Sequence, residues 1–277
     1  MAGIATLAKK SGHKVTGCDQ NVYPPMSTQL NEEGITIIEG FDDSQITLNP
    51  DLFIIGNVIS RGNPLMETIL NKKLPYQSGP QWLFENILYN KWVLAVAGTH
   101  GKTTTTSMLA WILEYNEFSP GYLIGGIPVN FQKSARLPLA SERNAPSFFV
   151  IEGDEYDTAF FDKRSKFIHY HPRTLILNNL EFDHADIFDD LDHIKKHFHH
   201  LIRMIPQDGR IIVNEESPAL KDTLSMGLWS EVEYFTGPKD WSYALGSDNQ
   251  SIIISHKKKE LGTLNWNLMG HHNASNA

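Results

Sequence analysis

The stretch "VLAVAGTHGKTTTTSML", Val93 to Leu109, sets an apolar run, a turn bracketed by Gly98 and Gly101, a lysine and four consecutive threonines in that order. Val93 to Ala97 carries no polar side chain, which predicts a strand buried on both faces of a parallel sheet. A helix is expected after the glycines. Strand, glycine turn, Lys-Thr and helix is the order that binds phosphate. Backbone N–H groups at the helix start carry the positive end of the dipole, glycines admit close approach, and Lys102 adds a mobile charge. Thr103 adds a hydroxyl of the kind that ligates Mg²⁺. The spacing GxxxxGK[ST] is not met, because it needs glycine where Val96 stands. The plainer reading is an ordinary strand-to-helix turn with a surface lysine. The coincidence of strand, both glycines and Lys-Thr favours the phosphate cradle.

A phosphate cradle in an open α/β sheet draws its further ligands from neighbouring strand ends, since ligands bind at the carboxyl edge. "FFVIEGDEYD" puts Glu152 directly after an apolar run, with Asp154, Glu155 and Asp157 behind it. "LILNNLEFDHAD" puts Asp183, His184 and Asp186 after the next one. Any single acid here could merely solvate a loop. Glu152 and His184 stand out because each lies just beyond a predicted buried strand, and imidazole can join carboxylate and phosphate oxygens around a divalent ion.

Working outward, short apolar runs alternate with helical patterns, which predicts an α/β fold with largely parallel sheets. "MAGIATLAKKSG" reads as a helix ended by Gly12, "HKVTGCD" as a strand ending in Asp19, and "PDLFIIGNVI" as another buried strand. A doubly wound unit normally opens with a strand and a glycine-rich turn, so this first part is expected to be Rossmann-like and to lack its opening strand. The prolines and glycine of "LPYQSGPQWLFENILYNK" set a boundary near residue 88. Strands are then expected at Val93–Ala97, Tyr122–Ile124, Phe148–Ile151, Thr174–Asn178, Arg210–Val213 and Val232–Phe235. "SYALG", "SIIISHK" and "ELGTLNWNL" read as a small antiparallel sheet, and "MGHHNASNA" as the start of a helix.

The 277 residues, 41% hydrophobic, suffice for well-formed cores and favour two domains. The formal net charge of −8, from 24 basic and 32 acidic residues, argues against a nucleic-acid partner. No apolar run approaches the roughly 20 residues that span a bilayer, and the N-terminus lacks the layout of an export signal. With a single Cys18, the expectation is a cytoplasmic protein with no membrane partner.

"GTHGKTTTT", "EGDEYD", "NLEFDHAD" and "GHHNASNA" occur in the order, and roughly at the spacing, of the muramyl ligases of peptidoglycan synthesis, which the whole chain resembles. "YDTAFFDKRSKFIHYHPRTLILNNLEFDH" and "YLIGGIPVNF" make it most similar to the recycling branch that joins UDP-N-acetylmuramate to the tripeptide L-alanyl-γ-D-glutamyl-meso-diaminopimelate. The branch that adds L-alanine is the alternative, and a non-catalytic nucleotide-binding fragment is another. The resemblance implies ATP and Mg²⁺ as cofactors and an acyl-phosphate route. It implies that Gly98, Thr99, His100, Gly101, Lys102, Thr103 and Thr104 form the phosphate loop, and that Lys102 contacts the terminal phosphates. Thr103 would hold one Mg²⁺, and Glu152 with His184 a second. His272, Asn273 and Asn276 would meet the base and ribose. Asp19, Ser60, Asn63 and Asn130 would face the sugar nucleotide, although plain turn chemistry explains an acid ending a strand or an Asn-Pro turn equally well. Residues 1–88 would then hold UDP-sugar and 89–277 would hold ATP. The family's third, C-terminal domain is expected to be absent, which would leave the chain alone inactive.

His193, His197 and His200 at helical spacing could suggest zinc, but Ile194, Phe198, Leu201, Ile202 and Ile205 form the stripe that such a helix would bury, leaving the histidines on its flank.

Overall fold

The computed structural model of the chain describes residues 1–140, 145–182, 188–246, 251–265 and 270–277. Helix α1 (Ala2–Lys10) buries Gly3 and Leu7, and the chain leaves it through Gly12 at φ +95°, a conformation glycine adopts without penalty beyond a helix end. Strand β1 (Thr16–Asp19), α2 (Met26–Glu32) and β2 (Thr36–Glu39) follow, with β1 and β2 parallel. Next come β3 (Phe53–Ile55), α3 (Pro64–Asn71) and β4 (Tyr76–Ser78), again with the two strands parallel. Among the described residues these are two separate two-stranded sheets. Met1 packs over Gly56 and Gly79, at the carboxyl ends of β3 and β4.

Helix α4 (Gly79–Leu83) starts on Ser78, whose hydroxyl accepts from the Gln81 N–H, and continues into a π-helical turn over Phe84–Leu88. Trp82, Leu83, Ile87 and Leu88 from this segment share one apolar cluster with Leu7, Val93, Phe149, Leu177 and Val213. The segment around residue 88 is therefore packed into the main core. The sequence cue of Pro and Gly marks the N-terminus of a capped helix there.

The main sheet is built from β5 (Trp92–Ala97), β6 (Gly121–Leu123), β7 (Ala135–Arg136), β8 (Phe148–Gly153), β11 (Thr174–Leu177), β12 (Arg210–Asn214) and β13 (Glu231–Phe235). A hairpin of β9 (Asp157–Ala159) and β10 (Asp162–Ser165) leaves its edge after β8. Helices α5 (Lys102–Tyr115), α6 (Leu191–Ile202) and α7 (Pro218–Ser225) connect the strands. The order is β13-β12-β11-β5-β8-β6-β7, parallel throughout except for β7, which pairs antiparallel with β6 at one edge. The apolar run Val93–Ala97 lies at the sheet's centre, fully flanked and buried, as its lack of polar side chains requires. The reversed edge strand is two residues long, too short to leave a period in the sequence.

Strands β14 (Trp241–Leu245), β15 (Ser251–His256) and β16 (Lys259–Asn265) make the small antiparallel sheet, and α8 (His271–Asn276) follows. On α6 Ile194, Phe198, Leu201 and Ile202 are buried, as is Ile205 just beyond its end, and His197 Nδ1 lies 2.7 Å from the buried Ser165 hydroxyl. Phe188 packs edge-on against the rings of His193 and His197.

Candidate active site

Four adjacent strands end at one place. The carboxyl end of β5 runs into the turn Gly98–Gly101, that of β8 presents Glu152, that of β11 leads to Asn178 and Asn179, and that of β6 leads to Gly125. In parallel sheets this edge is where connecting loops and helix N-termini converge, and α5 starts here at Lys102.

The turn depends on both glycines. Gly98 sits at φ +147° with the Asn179 backbone so close that an added Cβ would lie 3.0 Å from its carbonyl oxygen. Gly101 sits at φ +80°, where a Cβ would meet Asn276 Oδ1 at 2.6 Å and Asn178 Nδ2 at 3.1 Å. Asn179 holds the turn from the side. Its Oδ1 accepts from the His100 N–H at 2.8 Å, its Nδ2 donates to the His100 carbonyl at 3.1 Å, and its own carbonyl accepts from the Thr99 N–H at 3.2 Å. Glu181 adds another tie, its N–H donating to the Thr99 hydroxyl at 2.9 Å.

Lys102 folds back over this turn. Its ammonium donates to the Gly98 carbonyl at 2.6 Å, to the Thr99 carbonyl at 3.3 Å and to Glu155 Oε1 at 3.0 Å. Glu155 is only 3% exposed, so this ion pair is largely removed from water. Thr103 donates its hydroxyl to Glu152 Oε2 at 3.2 Å, and the Gly125 N–H donates to Glu152 Oε1 at 2.7 Å. Burial pushes the Glu152 carboxyl above its ordinary range. The Gly125 and Thr103 hydrogen bonds and the nearby Lys102 charge oppose that shift without cancelling it. A half-buried carboxylate raised in this way gains from a cation placed against it.

The structure thus brings together Gly98, Thr99, His100, Gly101, Lys102, Thr103 and Glu152, with Thr104 in the same first turn of α5. Asp183 and His184 lie outside the described residues. Asn276 reaches the turn, its side chain packed on Gly101 and buried. His272 is exposed and Asn273 half-buried on the same short helix, which Tyr243 ties to β14 through a 3.2 Å hydrogen bond to the His271 carbonyl.

The remaining expected residues lie elsewhere and have local partners. Asn63 caps α3, accepting from the Met66 N–H at 3.0 Å, and Asp19 accepts from the Asn21 N–H at 3.3 Å. Arg61, beside the exposed Ser60, is paired with Glu67 and draws that carboxyl down to about 2. Asn130 is exposed in a turn beyond β6. Glu155, Asn178, Asn179 and Gly125 had no assigned role in the sequence reading. For the asparagines a signal was present, since they follow an apolar strand as directly as Glu152 does. For Gly125 only the tertiary contact shows its part.

A parallel sheet whose central strand feeds a glycine turn and a Lys-Thr helix start, with a half-buried glutamate at the neighbouring strand end, has the layout expected of a phosphate-binding α/β domain, and the family its sequence matches is that of the Mur ligases. The chain belongs to that family. The Mur ligase middle domain matches residues 96–277, and the catalytic domain of the Mur ligase family matches residues 1–89. More particularly, it is 55% identical, over 100% of its own length, to the UDP-N-acetylmuramate--L-alanyl-gamma-D-glutamyl-meso-2,6-diaminoheptandioate ligase of Escherichia coli (strain K12). It is 50% identical to the ligase of the same description in Haemophilus influenzae. It spans 59% and 60% of the length of those two relatives. Among solved structures, that of UDP-N-acetylmuramate:L-alanyl-gamma-D-glutamyl-meso-diaminopimelate ligase from Neisseria meningitides superposes with a TM-score of 0.96 at 54% identity, covering 100% of this chain and 86% of that one. No helix among the described residues is long and apolar enough to cross a membrane.

Proposed function

We propose that this chain carries the sugar-nucleotide and ATP sites of a ligase that joins UDP-N-acetylmuramate to the tripeptide L-alanyl-γ-D-glutamyl-meso-diaminopimelate in peptidoglycan recycling, in the cytoplasm. The observation that carries this reading is the convergence of Lys102, Thr103 and Glu152 at one sheet edge. Residues 1–88 serve as the UDP-sugar part, with Asp19, Ser60, Asn63 and Asn130 facing that substrate, and residues 89–277 serve as the ATP part. The likeness to the tripeptide ligases at 50 and 55% identity over the whole chain, against 32% over 209 residues for an L-alanine ligase of Syntrophomonas wolfei, favours the tripeptide as amine.

ATP supplies the phosphoryl group that turns a carboxylate, a poor electrophile, into an acyl phosphate whose phosphate the incoming amine displaces. The chain's residues position and neutralise charge. The Thr99 and His100 N–H groups are held by Asn179, so phosphate oxygens would be met by the N–H groups at the start of α5, from Gly101 onward. Lys102, held by two carbonyls and Glu155, would bring its ammonium to the terminal phosphates. Thr103 and Glu152 suit Mg²⁺ by their donor chemistry, hydroxyl and carboxylate oxygen, and His184 would join Glu152 as a ligand. Asn276, with His272 and Asn273, borders the base and ribose.

Phosphate release by the full-length protein with UDP-N-acetylmuramate, ATP and Mg²⁺ tests the reading. Release that requires the tripeptide supports it. Release with L-alanine instead transfers the chain to the biosynthetic branch, and binding of both nucleotides without release under either amine makes it a nucleotide-binding module.

A further inference from the structure

The hairpin β9–β10 leaves the main sheet just past Glu152, and its tip packs on the first unit of the chain. Phe160 and Phe161 stand between its two strands. Phe160 packs on the apolar cluster of Ile55, Leu65, Met66 and Ile69, which β3 and α3 supply. Among the described residues every other side chain of that cluster belongs to residues 18–74. Phe161 meets the Tyr76 ring edge-on at 5.0 Å, and the rings of Phe160 and Phe161 lie 5.1 Å apart.

The base of the hairpin is tied to the active-site edge. Lys166, just past β10, donates its ammonium to Asp154 Oδ2 at 2.7 Å and its N–H to the Tyr156 carbonyl at 2.9 Å. The Phe167 N–H donates to the Asp154 carbonyl at 3.3 Å. Asp154 stands between Glu152 and Glu155, the carboxylates that meet Thr103 and Lys102. The hairpin is also braced within, because Asp162 accepts from the Arg164 guanidinium at 2.7 Å and the Thr158 hydroxyl donates to the Arg164 carbonyl at 2.7 Å. At the far end, the cluster that receives Phe160 is continuous in sequence with the residues expected to face the sugar nucleotide. Cys18 and Ile59, packed against it, immediately precede Asp19 and Ser60.

A short braced element fixed at both ends holds one site at a set position from the other. We propose that Phe160 is a positioning residue for phosphoryl transfer. The hairpin sets the sugar-nucleotide unit on the end of β8, so that the sugar's carboxylate oxygen reaches the γ-phosphorus of ATP at Lys102 and ADP leaves. This rests on the ligase reading given above. Truncating Phe160 leaves the binding groups of both substrates in place and removes the side chain that registers one site on the other. Such a loss acts on rate more than on affinity, since misplacing two reactants by about 1 Å costs about 10²-fold while each keeps its own contacts.

The test uses the full-length protein and the first half-reaction, at a temperature where circular dichroism shows every variant folded. By calorimetry Phe160→Ala should bind UDP-N-acetylmuramate and a non-hydrolysable ATP analogue within about twofold of the parent, and in rapid quench without amine it should form ADP about tenfold more slowly. Phe160→Leu, which refills most of the contact with the cluster, should recover most of that rate. A parental rate in Phe160→Ala, or weaker binding of either nucleotide in place of a slower step, overturns the positioning role. Failure of the unsubstituted protein to form ADP defeats the ligase reading instead. Amide exchange of the nucleotide-free protein then decides whether the hairpin holds the first unit: Phe160→Ala should speed exchange about fivefold in residues 53–71 as well as in residues 157–165. Acceleration confined to the hairpin overturns the tether.

Discussion

Thr103 and Glu152, 49 residues apart in sequence, share a 3.2 Å hydrogen bond that joins the first turn of α5 to the end of β8. The carboxylate is half-enclosed and its charged form is disfavoured by burial, so the native fold carries a group poised to accept a cation at some cost to itself.

That cost gives the first prediction. Glu152→Gln keeps the oxygen that accepts from Gly125 and places an amide where Thr103 can accept, so the fold survives while the charge is lost. The Glu152 carboxyl titrates above its ordinary 4.5 in the folded chain, so the native state binds the proton more tightly than the unfolded chain does. Its contribution to stability is therefore greatest below pH 4.5 and declines as pH rises through the elevated value. The variant should have a higher thermal midpoint than the parent at pH 7 and an equal one near pH 4, read by scanning calorimetry without nucleotide. Turnover should fall by about 10²-fold or more. A lower midpoint at pH 7 contradicts the burial argument.

Lys102→Ala should remove turnover and also weaken the fold. The lysine holds the Gly98 and Thr99 carbonyls and shares a nearly dry ion pair with Glu155. Deleting one partner of such a pair costs about 3 kcal/mol. Denaturant titration should show that loss, and Lys102→Met with Glu155→Gln should recover part of it without restoring activity. An unchanged unfolding midpoint in Lys102→Ala would mean that water solvates Glu155 freely.

Gly101→Ala puts a side chain at φ +80° and against two buried amides. The left-handed conformation alone costs about 1–2 kcal/mol, and displacing the turn by a fraction of an ångström should lower turnover by about 10²-fold. A crystal structure of the variant with the turn unmoved and full activity would show that the glycine is dispensable.

Asn179 replaces a missing strand neighbour by bonding both the N–H and the C=O of His100. Asn179→Ala should cost about 1–2 kcal/mol by urea unfolding and raise KM for ATP more than it lowers kcat, since the turn loses its shape before any charge. Asn179→Asp should recover only the bond from the His100 N–H. Equal loss in kcat and kcat/KM would instead place Asn179 at the transition state.

Much of this architecture was legible in the chain before any coordinates. Val93–Ala97 could only be a central strand, because five successive apolar side chains need cover on both faces, and the glycines with Lys-Thr after it could only be a turn into a helix. Glu152 could be singled out because it ends such a strand. The short hairpin β9–β10 and the two-residue reversed strand β7 were not legible, since segments of two to four residues carry no periodicity to read. Asn63 and Asp19 show the opposite limit, for the local hydrogen bonds that occupy them are the ones any turn of that sequence would make.

By itself the sequence determined which segments are buried, where the helices start and which residue types are present for phosphate and metal chemistry, because those follow from local pattern and from the chemistry of side chains. Which residues meet was decided by the tertiary structure alone. Gly125 beneath Glu152, Glu155 on Lys102, Asn179 along the turn, and Asn178 and Asn276 each on Gly101 are contacts between residues far apart in the chain. They exist because strand order and parallel register carry the ends of β5, β6, β8 and β11 to the same edge, and no local pattern encodes that order.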